Sequence, residues 1–197
     1  FYSLDSRSWD LYEKGLYTKL GFIQDDILYT VVPNTNYYAE LPMQEFAGVV
    51  GVWEYYMNSG RKYIIEDFYE AGKNYLYLWD MQQNGLIEHR GGGSSWLKWC
   101  DWGSNNDLTT IENAWYYMAL EAVINMAELV GKTEDIPELK FRQNKIAAAF
   151  PSLWTDAGFK SSDVSAADDR ANALAVLAGL TTAEQNAVIL EKVFLNE

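Results

Sequence analysis

Read from its N-terminus, the sequence alternates between two kinds of helical segment, and few architectures accept that alternation. Over residues 6–24, Trp9, Tyr12, Leu16 and Leu20 recur on one face while Asp10, Glu13, Lys14 and Lys19 fall elsewhere, with Asp5 or Ser6 placed to cap. The next segment, Pro42–Ser59, carries Phe46, Val49, Val50, Val52, Trp53, Tyr56 and Met57 and has almost no polar face, which predicts a buried helix. Pro42 suits its first turn. Residues 63–82 are amphipathic again: Ile64, Ile65, Phe68, Tyr69, Tyr75, Leu76 and Trp79 stand against Glu66, Asp67, Glu70, Lys73 and Asp80. Residues 109–130 are apolar, and Thr109-x-x-Glu112 reads as their capping box. Residues 136–150 are amphipathic and 166–178 apolar; a second box, Thr181-x-x-Glu184, opens an amphipathic stretch running toward Asn196. Seven segments therefore read wet, buried, wet, buried, wet, buried, wet. Nothing alternates strongly enough to argue for a sheet.

This order predicts an all-α fold, an α/α toroid with buried helices inside and amphipathic helices outside; a helical solenoid is the structural alternative. Connections after the buried helices are short and glycine-ended, at Gly60, Gly131 and Gly179, whereas those before them are long. The long loops therefore gather at one end of the scaffold, together with the positive N-termini of the buried helices, and that end is the natural place for function. Gly48 and Gly51 each cost about 1 kcal/mol within a helix, which close approach of a neighbour would offset.

A chain of 197 residues, 49% of them hydrophobic, suits a single domain, here residues 1–197, with a real core. The net charge of −13 repels phosphate backbones and argues against nucleic acid as a partner. One cysteine, Cys100, and one histidine, His89, leave no disulfide framework and no metal motif, so no cofactor is expected. No run approaches the roughly 20 apolar residues of a membrane span, so no membrane partner is expected. No basic-then-apolar signal opens the chain, so the mature form begins here or the start is missing.

The second long loop is unusual. Trp96, Trp99 and Trp102 surround Asp101, between Gly91-Gly92-Gly93 and Gly103. Such indoles either plug a gap between helices or, with the carboxylate, form what a sugar needs: flat apolar faces and acceptors for hydroxyls. Candidate binding residues are Trp99, Asp101, Trp102 and His89 on this loop, Glu40 and Gln44 on the first, and Asp169 and Arg170 at the third. Asp25, Asp26, Tyr37, Tyr38, Glu88, Arg90, Asp107, Asp163 and Asp168 lie on the same loops; Asp25-Asp26 also read as turn residues, and Asp168-Asp169 as first-turn acids.

Several runs together resemble the bacterial α-L-rhamnosidases of the six-hairpin glycosidase superfamily. They are Glu40-Leu41-Pro42-Met43-Gln44, Trp53-Glu54-Tyr55-Tyr56-Met57-Asn58-Ser59-Gly60, Tyr75-Leu76-x-Leu78-Trp79, Asp101-Trp102-Gly103, Glu112-Asn113-Ala114-Trp115-Tyr116-Tyr117 and Asp168-Asp169-Arg170-Ala171-Asn172-Ala173-Leu174-Ala175, in order over nearly the whole chain. The resemblance implies part of an (α/α)6 catalytic barrel and an inverting hydrolase, whose two carboxylates stand about 6.5–9.5 Å apart to admit water. It also implies that the catalytic acid and base lie outside these residues, in the rest of the parent chain. Asp101 and Trp102 match the family's sugar-binding pair, with Trp102 stacking on rhamnose. Glu40-Leu41-Pro42 stands where many members carry a tryptophan, and Asp169 where many carry glutamine. A bacterial source is implied, and a periplasmic or secreted location is favoured over a cytoplasmic one. Two other readings stand beside it: a six-hairpin glycosidase of other sugar specificity, and a non-catalytic helical-repeat module binding carbohydrate or protein.

Overall fold

The computed structural model describes residues 7–33, 40–90, 100 and 102–195. Among them the seven expected helices form. Helix α1 (Ser8–Leu20) is shorter than expected and begins after Arg7, which offers no capping oxygen; Asp5 and Ser6 lie outside the described residues. Helix α2 (Pro42–Ser59) has Pro42 in its first turn and ends on Gly60 in the left-handed conformation, with φ of 70°. Helix α3 (Lys62–Tyr77) stops before the expected Gln82, because the chain there folds into a tight turn. In that turn the Gln82 N–H donates to the Leu86 carbonyl at 2.8 Å, and Met81 bridges Ile87.

Helix α4 (Leu108–Val130) is capped by Asp107 and not by a Thr109–Glu112 box. The Asp107 carboxylate accepts from the Thr110 N–H at 3.1 Å and from the Ser161 N–H at 2.7 Å, so it serves a distant loop as well as its own helix. Helix α5 (Ile136–Ala149) leads into a small antiparallel hairpin, β1 (Trp154–Thr155) and β2 (Gly158–Phe159), which the sequence pattern did not predict. Helix α6 (Asp169–Leu177) is capped by Asp168 and starts after the expected residue 166. Helix α7 (Ala183–Ile189) does open on a capping box, formed by Thr182 and Gln185, one residue beyond Thr181 and Glu184; it continues as a π-helical turn, Leu190–Phe194.

The packing is that of an arc of an α/α toroid. Helices α2, α4 and α6 lie side by side as the inner row, with α4 against both neighbours; α1, α3, α5 and α7 lie outside. Only Glu121 and Glu128 of α4 are exposed. Helices α2 and α6 each have an inner neighbour on one side only, and both keep large apolar side chains in solvent, Met57 at 61% exposure and Leu177 at 75%. The core is aromatic at its centre, where Phe46, Tyr75, Trp79 and Tyr116 interlock with ring centroids 4.9–6.4 Å apart. Gly48 and Gly51 make room for the tips of α1 side chains and not for a helix backbone: an added Cβ would lie 3.7 Å from Lys19 Nζ and 3.6 Å from the Tyr12 hydroxyl. Among the described residues no helix is long and apolar enough to cross a membrane.

Candidate functional site

The N-termini of the three inner helices meet at one end. The Asp107 N–H donates to Asp168 Oδ2 at 2.9 Å, which joins the start of α4 to the start of α6. Glu40, just before α2, receives the Tyr75 hydroxyl at 3.0 Å and Arg90 Nη2 at 3.2 Å, which joins α2 to α3 and to the loop before α4. Burial, then the nearby Glu40 charge, push the Tyr75 hydroxyl well above its ordinary pKa, so it remains a donor to the carboxylate.

His89 sits beside this group. Its Nδ1 lies 2.7 Å from Glu112 Oε1 on the first turns of α4. Glu112 is 2% exposed, and burial raises its pKa above the ordinary value; His89 opposes the rise and Glu40 adds to it. The backbone here is fixed independently. Asn113 accepts from the Ile87 N–H at 2.8 Å and donates to the Ile87 carbonyl at 3.1 Å, clamping the chain just before His89.

Among the described residues, four buried polar side-chain atoms have no hydrogen-bond partner: Gln44 Oε1 in the first turn of α2, Trp79 Nε1, His89 Nε2 and Arg90 Nε. Arg90 lies over the Trp79 ring, 5.7 Å from its centroid, which links two of the four. Buried polar atoms are almost always satisfied, so such a concentration marks a place where water or a ligand supplies the missing partners. His89 also lines two hollows. One, of about 310 Å³, is formed with Leu78, Asp80, Gln82, Glu88 and Arg90. The other is an open cleft of about 950 Å³ running to Ser161, Ser162 and Asp163 of the loop before α6. A third hollow, of about 300 Å³ between α1 and α2, is mainly apolar and holds none of the four orphaned atoms.

The predicted site residues divide. Glu40 and His89 lie in this cluster and Gln44 stands in the first turn of α2, whereas Trp102, Asp169 and Arg170 form a second group at the cap of α6. Arg170 is a tether: its guanidinium donates to the Trp102 carbonyl at 2.8 Å, to Asp168 Oδ1 at 3.0 Å and to Asn106. It holds the tryptophan loop to the cap of α6 and leaves the Trp102 indole 83% exposed. Asp169 is exposed and accepts from the Arg170 N–H at 2.8 Å. Burial raises the pKa of Asp168, but Arg170 and the Asp107 N–H outweigh it and hold the carboxyl below its ordinary value. Trp96, Trp99, Asp101, Tyr37 and Tyr38 lie outside the described residues. Asp25 and Asp26 occupy a turn at positive φ, 51° and 62°. Among the described residues no group of three or more carboxylate, imidazole or thiol ligands could hold a metal ion.

Glu112 was missed from sequence because it fitted a capping box. The available signal was the first carboxylate of an otherwise apolar helix, with the next acidic residue of α4, Glu121, nine positions later.

The family described as the bacterial alpha-L-rhamnosidase 6 hairpin glycosidase domain matches residues 17–195. The chain belongs to this family. Solved rhamnosidases share its fold. A GH78 family rhamnosidase of Bacillus sp. GL1 superposes with a TM-score of 0.76 at 19% identity, covering 91% of this chain and 20% of that one. The α-L-rhamnosidase of Dictyoglumus thermophilum gives 0.74 at 21% identity, covering 91% and 21%. A Klebsiella oxytoca rhamnosidase with rhamnose bound gives 0.80 at 16% identity, covering 95% and 38%. This rhamnosidase-family chain thus spans between a fifth and two fifths of those proteins. No curated protein sequence matches it.

Proposed function

We propose that the chain is one helical unit of the catalytic barrel of an inverting α-L-rhamnosidase, and that it supplies a sugar-binding wall. Family membership supports the glycosidase reading. The observation that carries the wall is the set of buried, unpartnered polar atoms around Glu40, Gln44, His89 and Arg90, at the end where the inner helices begin. A terminal rhamnose has hydroxyls that would complete those hydrogen bonds, and the exposed Trp102 indole, with Trp99 and Asp101 on the same loop, offers a face to its C–H side. Asp169 and Arg170 border this wall from α6. Inversion needs a proton donor on one side of the sugar and a water-activating carboxylate on the other. We assign neither to this chain: Glu112 is occupied by His89 and Glu40 by Tyr75 and Arg90, and both carboxylates of the reaction come from the rest of the parent chain. The test is hydrolysis of an aryl α-L-rhamnoside by the full-length protein, with the product anomer followed by NMR. Release of β-L-rhamnose is expected, and the 197-residue chain alone should bind L-rhamnose without turnover. Preference for an α-glucoside, retention of configuration, or turnover by the chain alone at the full-length rate would overturn the reading.

A further inference from the structure

We propose that Glu112 is a positioning residue that holds His89 in one tautomer, with the proton on Nδ1, so that Nε2 is an acceptor for a hydroxyl of a bound neutral sugar. The inference rests on the function proposed above and adds a role for a residue which that reading leaves unassigned.

The geometry carries it in three steps. First, an ionised carboxylate only accepts, and Glu112 Oε1 lies 2.7 Å from Nδ1, so the Nδ1 proton is fixed between them and Nε2 is left with its lone pair. The chain two residues before the imidazole is held as well, because the next residue of α4, Asn113, grips both backbone groups of Ile87. Second, Nε2 is buried and has no partner among the described residues, and His89 borders the polar cleft. A buried acceptor without a donor is costly, and a sugar hydroxyl or a water is the donor that fits. Third, the scaffold does not need the pair. At the start of α6 a second asparagine, Asn172, grips Phe159 in the same way, accepting at 2.8 Å and donating at 2.9 Å. There, Ala171 stands where Glu112 stands and Ser161 where His89 stands. One copy of the clamp therefore works with an alanine beside its asparagine, whereas the other places a carboxylate there and buries it against desolvation.

The surroundings select a neutral ligand. Among the described charged groups near His89, Arg90 is bonded to Glu40, and Asp80, Glu88 and Asp163 bring negative charge to the hollows. An anionic sugar would meet repulsion there.

The sequence contains one histidine, so the imidazole nitrogens of a 15N-labelled chain give unambiguous signals. The tautomer is read on the alkaline limb of the imidazole titration, first without sugar. Wild type should show the Nδ1–H form; Glu112→Gln, which keeps an acceptor oxygen in place, should retain it. Glu112→Leu should revert to the Nε2–H form that free imidazole prefers, and should bind L-rhamnose about tenfold more weakly. Circular dichroism checks that each variant is folded. Added L-rhamnose should shift Nε2 more than Nδ1. An Nε2–H wild type, or an unchanged tautomer and affinity in Glu112→Leu, overturns the positioning role. Rhamnose binding that leaves Nε2 unmoved overturns the acceptor role. A wild-type chain that binds no rhamnose defeats the proposed sugar reading, while the tautomer comparison still decides what Glu112 does.

Discussion

The starts of α4 and α6 are two versions of one device. Each helix has an aspartate cap, Asp107 or Asp168, and each has an asparagine whose amide both accepts from and donates to the backbone of a preceding loop residue, Ile87 or Phe159. The same amide also reaches back one turn, to the Thr109 carbonyl at 2.8 Å or the Asp168 carbonyl at 2.9 Å. The second version even requires a glycine: a Cβ on Gly158, at φ of 136°, would stand 2.8 Å from Asn172 Oδ1. The versions differ in what the clamp presents. Beside Asn113 are a buried glutamate and the only histidine of the chain; beside Asn172 are Ala171 and Ser161. The asparagine clamp is common to both helix starts, and the Glu112–His89 pair is present at one of them.

That contrast can be broken most severely at Ala171. It is fully buried with no imidazole opposite, so Ala171→Glu should cost about 4 kcal/mol of unfolding free energy, measured in urea. A cost below about 1 kcal/mol would mean that the second clamp also tolerates a buried carboxylate. Next come the asparagines. Asn113→Ala and Asn172→Ala each strand a buried N–H and C=O and should each cost about 3 kcal/mol, but only Asn113→Ala should also weaken rhamnose binding.

The carboxylates should answer pH in opposite directions. Asp168 has a lowered folded pKa, so its contribution is present above the ordinary value of 3.8 and disappears as pH falls through the folded one. Asp168→Asn should therefore cost about 1 kcal/mol at neutral pH and nothing at the acid end of a thermal-denaturation series. Glu112 has a raised folded pKa, so the stability linked to it is present below 4.5 and lost as pH rises through the folded value. Glu112→Leu should therefore gain stability relative to wild type as pH rises; parallel slopes for the two variants would refute the contrast. The smallest change in stability belongs to Trp102→Ala, within about 0.5 kcal/mol because the indole is exposed, although rhamnose affinity should fall by about 1 kcal/mol.

The helices were legible because their signals are local. Periodicity separates α4 from α3, and Gly60 and Gly131 end their helices in the left-handed conformation that glycine favours. The caps were misread where their partners are distant. Asp107 is chosen over Thr109 because it also serves Ser161, 54 residues away, a contact that no window along the sequence contains. Glu112 looked like the local partner of Thr109, whereas its partner is His89, 23 residues earlier. Hairpin β1–β2 is two residues per strand, too short for a period of two to register. Of the candidate site residues, Glu40 and His89 were legible because they sit on the long loops, and Gln44 and Arg170 because they stand in the first turns of the helices those loops enter; the structure uses Arg170 to tether Trp102.

The central claim is that a sugar completes the hydrogen bonds left open at the start of the inner helices. A crystal structure of the chain with L-rhamnose tests it directly. A rhamnose hydroxyl is expected within about 3 Å of His89 Nε2 and a second near Gln44 Oε1, with the Trp102 indole facing the ring. Rhamnose seated elsewhere, with His89 Nε2 and Gln44 Oε1 still unpartnered or satisfied by protein alone, would contradict it.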